Sequence, residues 1–496
     1  MGSPPGFASS IETLSTSVTP HHCPVMPMRK TKIIATLGPA SVAPERIADL
    51  IQKGVSLFRI NASHSKADQI RAVVPLIRAA AHDRGLHIGI LLDLQGPAIR
   101  TGDVPVPVTL DRGDRVSFHV PGDPVSSPTS FSVNYPEFAR DIEVGRILLV
   151  DSGEIRMRVV GKTDTRVDCE VLNSGTMGSR RHINLPGVRV SLPALTDKDR
   201  QDVKVGLEVG VDFIAQSFVR DPDDVRELKS LLDGKNEKPI VVAKIEHQFA
   251  VDHFPAIAQA ADAIMVARGD LGMECPYEEL PIIQRRIVKH CLLHGRPVIV
   301  ATQMLESMVN NPFPTCAEIT DIANAVFEQA DAIMLSGETA IGKFPSECVE
   351  VMDTISRRIE RSGGANYHLS AKLEEPREML MRSAVGLADQ LNAAALVVFT
   401  RTGMLARIAS WLRPRSTPIY AFSDRESLAR QLAILRGVEP MVMPACQDDP
   451  AGSVEGALHR LVQGGCVKHA DSVVVVLPHP SSFDHEVESI KMHVIG

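Results

Sequence analysis

Eight short apolar runs, each ending in polar or charged residues, constrain the fold of this chain more than any other feature. They fall at 31–39, 56–63, 88–96, 212–218, 239–246, 262–270, 297–304 and 331–339. Amphipathic segments of helix length lie between them, among them 44–53, 66–84, 197–209 and 277–294. Strand-length runs alternating with helices are the pattern of βαβ units around a parallel sheet. Eight of them predict an α/β fold, a (β/α)8 TIM barrel, with its active site at the C-terminal strand ends.

The pattern breaks at 103–187, which is rich in Val, Asp, Arg, Gly and Pro and alternates in stretches such as "EIRMRVV" at 154–160. This predicts a small inserted β-barrel lid able to close over the barrel mouth, with hinges near Pro105 and Leu185-Pro186-Gly187. Past the eighth run, a helix at 346–361 and a polar linker lead to a second α/β unit. Its strands are expected at 394–400, 418–423, 438–444 and 472–478, with a last one near 490–495. The expected organisation is a disordered tail at 1–28, a catalytic barrel at 29–102 and 188–362, a lid at 103–187 and a C-terminal α/β domain at 375–496.

Composition excludes several partners. A net charge of −7 and a pI near 6.2 give no global attraction to nucleic acid or anionic membranes, so an anion site has to be local. The eight cysteines form no C-x-x-C pair, which argues against a zinc site or a disulfide framework and for a reducing, cytoplasmic setting. No apolar run reaches the roughly 18 to 20 residues of a membrane span. The N-terminal segment lacks both the apolar core of a secretory signal and the arginines of a transit peptide.

The chemistry is carried by strand ends. Residues two apart on a strand share a face, so Lys244 and Glu246 point together, as do Arg59, Asn61 and Ser63, with His64 on the next turn. Asp93, Asp270 and Thr302 end three other runs. Glu246 and Asp270 are hard oxygen ligands suited to Mg²⁺ or Mn²⁺. Arg59, Arg100, Arg268 and Lys244 suit a phosphate or carboxylate bridged by that metal, and phosphoryl transfer needs chiefly such positioning and charge neutralisation. Two motifs carry nothing. "GETAIGKF" at 337–344 has Phe344 where a P-loop needs Ser or Thr, and Arg268-Gly269-Asp270 follows a buried strand rather than sitting on an exposed loop.

The ordered set "TKIIATLGPAS", "FRINASHS", "DLQGPAIRTG", "INLPG", "AKIE", "MVARGDLG", "VIVATQMLESM" and "DAIMLSGETAIGKFP" resembles the pyruvate kinases over about 29–496. The resemblance implies a homotetrameric enzyme that moves phosphate from phosphoenolpyruvate to ADP in the last step of glycolysis. It implies Arg59, Lys244, Gly269, Asp270 and Thr302 at the substrate, with Arg59, Lys244 and Thr302 catalytic, and Glu246 and Asp270 on Mg²⁺. It also implies Asn61, Ser63, Asp93 and the Leu94 carbonyl on K⁺, and Asn61, Ala62, Ser63, His64, Arg100 and Arg181 at the nucleotide. Thr400, Thr402 and Gly403 match an effector loop.

Departures accompany the likeness. Ser65 and His182 replace glycines, Arg181 replaces a lysine, and "EHQFA" replaces "ENxEG". Ala98 stands where K⁺-dependent members carry Glu and K⁺-independent ones Lys. Leu405 replaces the hydroxyl usual in members answering to fructose 1,6-bisphosphate, so weak or different effector control is expected. Two other readings compete: a metal-dependent aldolase or lyase forming a pyruvate enolate, and a regulatory protein that has lost catalysis. An aldolase needs no nucleotide lid, and a lost catalyst need not keep Lys244, Glu246 and Asp270.

Overall fold

The computed structural model describes residues 29–125, 127–151, 153–235, 237–444, 450–478 and 487–496; the expected tail at 1–28 lies outside them. Eight parallel strands close a barrel: Lys32–Thr36, Leu57–Asn61, Gly89–Asp93, Phe213–Gln216, Ile240–Ile245, Ala263–Ala267, Val298–Ala301 and Ala332–Leu335. Each pairs with its sequence neighbours, and the first closes on the eighth through Lys32 opposite Ala332. All eight predicted runs are strands, each shorter than its run because the polar ends turn into loops.

Strand alternation sorts the apolar residues into two layers. Ile33, Phe58, Ile60, Ile90, Leu92, Val241 and Val300 pack outward under the helices. Ile34, Leu57, Leu91, Phe213, Val242, Met265 and Ile299 fill the interior. The interior column changes character on the way up: Leu57 gives way to Arg59 and Asn61, Leu91 to Asp93, Ala215 to Ser217, and Val242 to Lys244 and Glu246. The barrel is therefore dry at its base and charged at its mouth.

Helix ends follow local chemistry. Thr196 and Thr315 cap Asp197–Val209 and Cys316–Phe327 through reciprocal bonds to Asp199 and Glu318, the capping-box arrangement. Pro44 and Pro345 open Pro44–Gln52 and Pro345–Glu360, where a missing N–H costs nothing.

The inserted segment folds as a six-stranded and a two-stranded sheet around one apolar core running from Ile99 to Val188. Its two crossings from the barrel are bonded to each other: Thr101 N donates to Arg181 O at 2.9 Å and Ile183 N to Ile99 O at 2.9 Å. The C-terminal unit is a five-stranded sheet, four strands parallel and Val487–Val494 antiparallel at one edge. Its apolar residues are continuous with the barrel interior. The contact at the barrel base is close: a Cβ on Gly89 would stand 2.8 Å from Leu57 Cγ and 3.2 Å from the Arg430 carbonyl.

Candidate active site

At the mouth, the charged ends of the second, third and fifth strands meet the Ser217 hydroxyl that follows the fourth in one cluster. Arg59 Nε donates to Asp93 Oδ2 at 2.7 Å, and its Nη1 to Thr36 Oγ1 at 3.2 Å. Lys244 Nζ lies 2.7 Å from Glu246 Oε1 and 3.2 Å from Asp93 Oδ1, and donates to Ser217 Oγ at 2.7 Å. Asp93 and Glu246 are each only 1 % exposed, so the pairs operate in a low-dielectric setting where charge interactions are strong.

Protonation follows from that setting. Burial disfavours the Lys244 ammonium, but Asp93 and Glu246 outweigh it and hold the lysine more basic than usual. Burial also pushes the Asp93 carboxyl up, and Lys244 and Arg59 more than reverse it. Glu246 is pushed up to about 7, by burial first and by Asp270, against the pull of Lys244. Two cations therefore face three carboxylates, and the site is short of positive charge.

Asp270 sits in the first turn of Arg268–Glu274, directly after the sixth strand. The neighbouring Gly269 amide donates to Thr302 Oγ1 at 2.8 Å, and that hydroxyl donates to Ala301 O at 2.6 Å. Thr302 has φ 68° and Gln303 φ 55°. A left-handed β-branched residue is strained, and here the strain turns the Thr302 hydroxyl onto the Asp270 helix.

One sequence expectation is corrected. Arg268 is not available to a phosphate: it is buried, pairs with Asp321 at 2.6 Å and donates to the Ala301 and Thr302 carbonyls. It braces the strained turn.

The remaining expected residues lie on separate segments. Asn61 and Asp93 are register partners on adjacent strands, and Asn61 Oδ1 accepts from Ser63 N at 3.0 Å. Ala62 is buried beneath this turn and His64 exposed on it. The Leu94 carbonyl accepts from Ser217 Oγ at 2.8 Å. Arg100 and Arg181 stand on the paired crossings to the lid. Arg100 donates to Arg180 O at 3.2 Å, and Arg181 pairs with Asp151 at 2.8 Å. Ala98 O accepts from Asn134 Nδ2 at 3.0 Å, and Asn134 Oδ1 accepts from Arg100 N. An uncharged amide thus occupies the surroundings of Ala98.

Far away, Thr400 Oγ1 accepts from Gly403 N at 3.0 Å and Thr402 Oγ1 from Met404 N at 3.4 Å, in the turn that leads into Met404–Trp411. Leu405 is buried in the core behind them.

Three participants escaped sequence reasoning. Ser217 could have been found by continuing the alternation past Ala215. Phe218, whose amide donates to Glu246 Oε2 at 2.7 Å, has φ 55° with no sequence signal for it. The third is Glu274, one turn beyond Asp270.

A (β/α)8 barrel with an inserted β-rich domain and charged strand ends gathered at its mouth is the architecture of an enzyme. Comparison with known proteins makes the class specific. Residues 28–349 match the family profile described as pyruvate kinase, barrel domain, and 378–493 that of its alpha/beta domain. The chain is 42 % identical to plastidial pyruvate kinase 2 of Arabidopsis thaliana over 90 % of its own length and 78 % of that protein's. It is 38 % identical to a pyruvate kinase of Staphylococcus aureus, over 95 % and 81 %. A solved pyruvate kinase from Cryptosporidium parvum superposes with TM-score 0.88 at 34 % identity, covering 94 % of this chain and 96 % of that one. The chain belongs to the pyruvate kinase family and is a phosphotransferase; the aldolase reading has no support among these relatives.

Proposed function

We propose that the barrel mouth transfers the phosphoryl group of phosphoenolpyruvate to ADP, giving pyruvate and ATP, as the closing step of glycolysis. The observation that carries this reading is Lys244, a buried cation aimed into the mouth between two strand-end carboxylates. There it would neutralise charge on the phosphoryl oxygens during transfer, while Arg59 binds the phosphate and Thr302 and Gly269 hold the enolate end.

The residues fit a divalent cation. Glu246 Oε1 is buried without an acceptor bond of proper geometry, and the mouth lacks one positive charge. Two hard carboxylate donors suit Mg²⁺ or Mn²⁺ held by Glu246 and Asp270, with substrate and water completing the shell. The cation would supply charge neutralisation on the phosphate. Asn61, Ser63, Asp93 and the Leu94 carbonyl offer a set of oxygens for K⁺. Asn61, Ala62, Ser63, His64, Arg100 and Arg181 would receive the nucleotide, with Thr400, Thr402 and Gly403 a weak effector loop at most.

The wider reading is a cytoplasmic homotetramer without nucleic-acid or membrane partners. Cys169, Cys275, Cys291, Cys316 and Cys348 form no disulfide, and no described helix is long and apolar enough to cross a membrane. Tyr277, Phe313 and Ile341 on the barrel and Met492 and Val494 on the edge strand are exposed apolar groups of the kind that subunit contacts cover.

Lys244→Met tests the assignment. The expected result is a loss of about 10³-fold or more in pyruvate formation with phosphoenolpyruvate binding retained, measured by coupled assay and by equilibrium titration. Full activity would remove Lys244 from the role.

A further inference from the structure

The lid touches the barrel through groups that none of the proposed roles uses. Asn184, at the edge of the six-stranded sheet, is 3 % exposed. Its Nδ2 donates to Glu274 Oε1 at 3.0 Å. The other oxygen, Glu274 Oε2, stands 3.2 Å from His247 Nε2. His247 Nδ1 accepts from Phe249 N at 3.2 Å, capping the helix Gln248–Asp252. Accepting at Nδ1 places the ring proton on Nε2, and the 3.2 Å approach to Glu274 Oε2 is a close contact short of hydrogen-bond geometry.

This chain of contacts ends on both proposed metal ligands. His247 directly follows Glu246, and Glu274 closes the seven-residue helix that carries Asp270 in its first turn. A second contact runs parallel: the His182 ring on the lid lies 5.8 Å from the Phe218 ring, and the Phe218 amide donates to Glu246 Oε2. The lid turn at Gly153 rests on the same helix, where a Cβ would come within 2.9 Å of Met273 Sδ. Asn184, His182, Phe218, His247 and Glu274 are among the residues lining an open cleft of 50 Å³ between lid and barrel.

We propose that Asn184, Glu274 and His247 form a latch that couples the position of the lid to the placement of Glu246 and Asp270. They are positioning residues, none touching the reactants. The structural argument is one of shared anchorage: Glu274 takes one bond from the lid and faces one ring from the Glu246 segment, so withdrawing the lid removes a restraint common to both ligand-bearing elements. His247 stands where Asn is usual in the family, and its ring spans both contacts, capping the helix through Nδ1 and approaching Glu274 through Nε2. The inference rests on the metal pair proposed above, and its test includes a metal-free readout so that the two can fail separately.

The test compares Asn184→Ala, Glu274→Gln and His247→Asn with the parent, all as full-length protein. Glu274→Gln keeps the volume, and His247→Asn keeps the cap. Amide hydrogen exchange is read first, without metal, at 97–103, 182–188 and 248–252. The latch predicts faster exchange at both crossings in all three variants, with 248–252 unchanged in His247→Asn. With Mn²⁺ and ADP, it predicts a rise of about two- to tenfold in KM for the metal–nucleotide, the scale of one net hydrogen bond, with kcat within about threefold. The double variant Asn184→Ala/Glu274→Gln should be no worse than the worse single, as for one shared contact. Unchanged exchange at the crossings, additive losses in the double variant, or a fall in kcat alone would each overturn the latch. Changed exchange with no Mn²⁺ binding by any protein would leave the lid contact standing and sink the metal pair instead.

Discussion

Lys244 and Glu246 illustrate how far single residues could be read in advance. Two-residue spacing placed both on one strand face, and they stand 2.7 Å apart. Burial was not legible, and it is what raises Glu246 from an ordinary 4.5 to about 7. A metal binds the ionised carboxylate, so Mn²⁺ affinity should fall about tenfold per pH unit below about 7 and level off above it. Titration between pH 5.5 and 8.5 checks this, and a flat profile would exclude Glu246 as a ligand. The sign for stability is opposite. An unfolded Glu ionises near 4.5 while the folded one holds its proton to about 7, so the metal-free protein loses stability as pH rises through that window.

Elements were more legible than the turns that finish them. Apolar alternation marks all eight barrel strands, and Thr196 and Thr315 mark their helix starts, because these depend on neighbours within a few residues. The reversals at Phe218 and at Thr302–Gln303 depend on partners from other strands, such as Arg268 gripping the Ala301 and Thr302 carbonyls. No propensity encodes them; tertiary contacts impose a backbone those residues avoid. Thr302→Ser keeps the hydroxyl and removes the β-branch. It should stabilise the protein by about 0.5–1 kcal/mol while retaining most activity, as measured by denaturant unfolding and by coupled assay. Destabilisation would mean that the methyl group packs more than the turn strains.

At the scale of the whole molecule, the sequence indicates three units but not how they are joined. The C-terminal unit is pinned to the barrel by Arg413, whose Nη1 and Nη2 reach Asp331 at 2.7 and 2.8 Å just before the eighth strand. Asp331 also accepts from Val298 N at 3.0 Å. Arg436 and Arg413 crowd the nearby His368, which burial and these arginines lower to about 4. Asp331→Asn leaves a buried guanidinium without its carboxylate, at a cost of about 3–5 kcal/mol. Calorimetry should show the C-terminal unit of the variant unfolding in a separate, earlier transition than the barrel. A single transition at the parent temperature would mean that the apolar contact at the barrel base suffices.

These scales meet in one claim, that the charged mouth moves a phosphoryl group rather than cleaving or forming a carbon–carbon bond. The most direct measurement is product stoichiometry from phosphoenolpyruvate and ADP with Mg²⁺, followed by phosphorus and proton NMR. The account predicts one ATP for each pyruvate, with both lost when the metal is chelated. Pyruvate appearing with inorganic phosphate and no ATP, or no pyruvate at all, would contradict it.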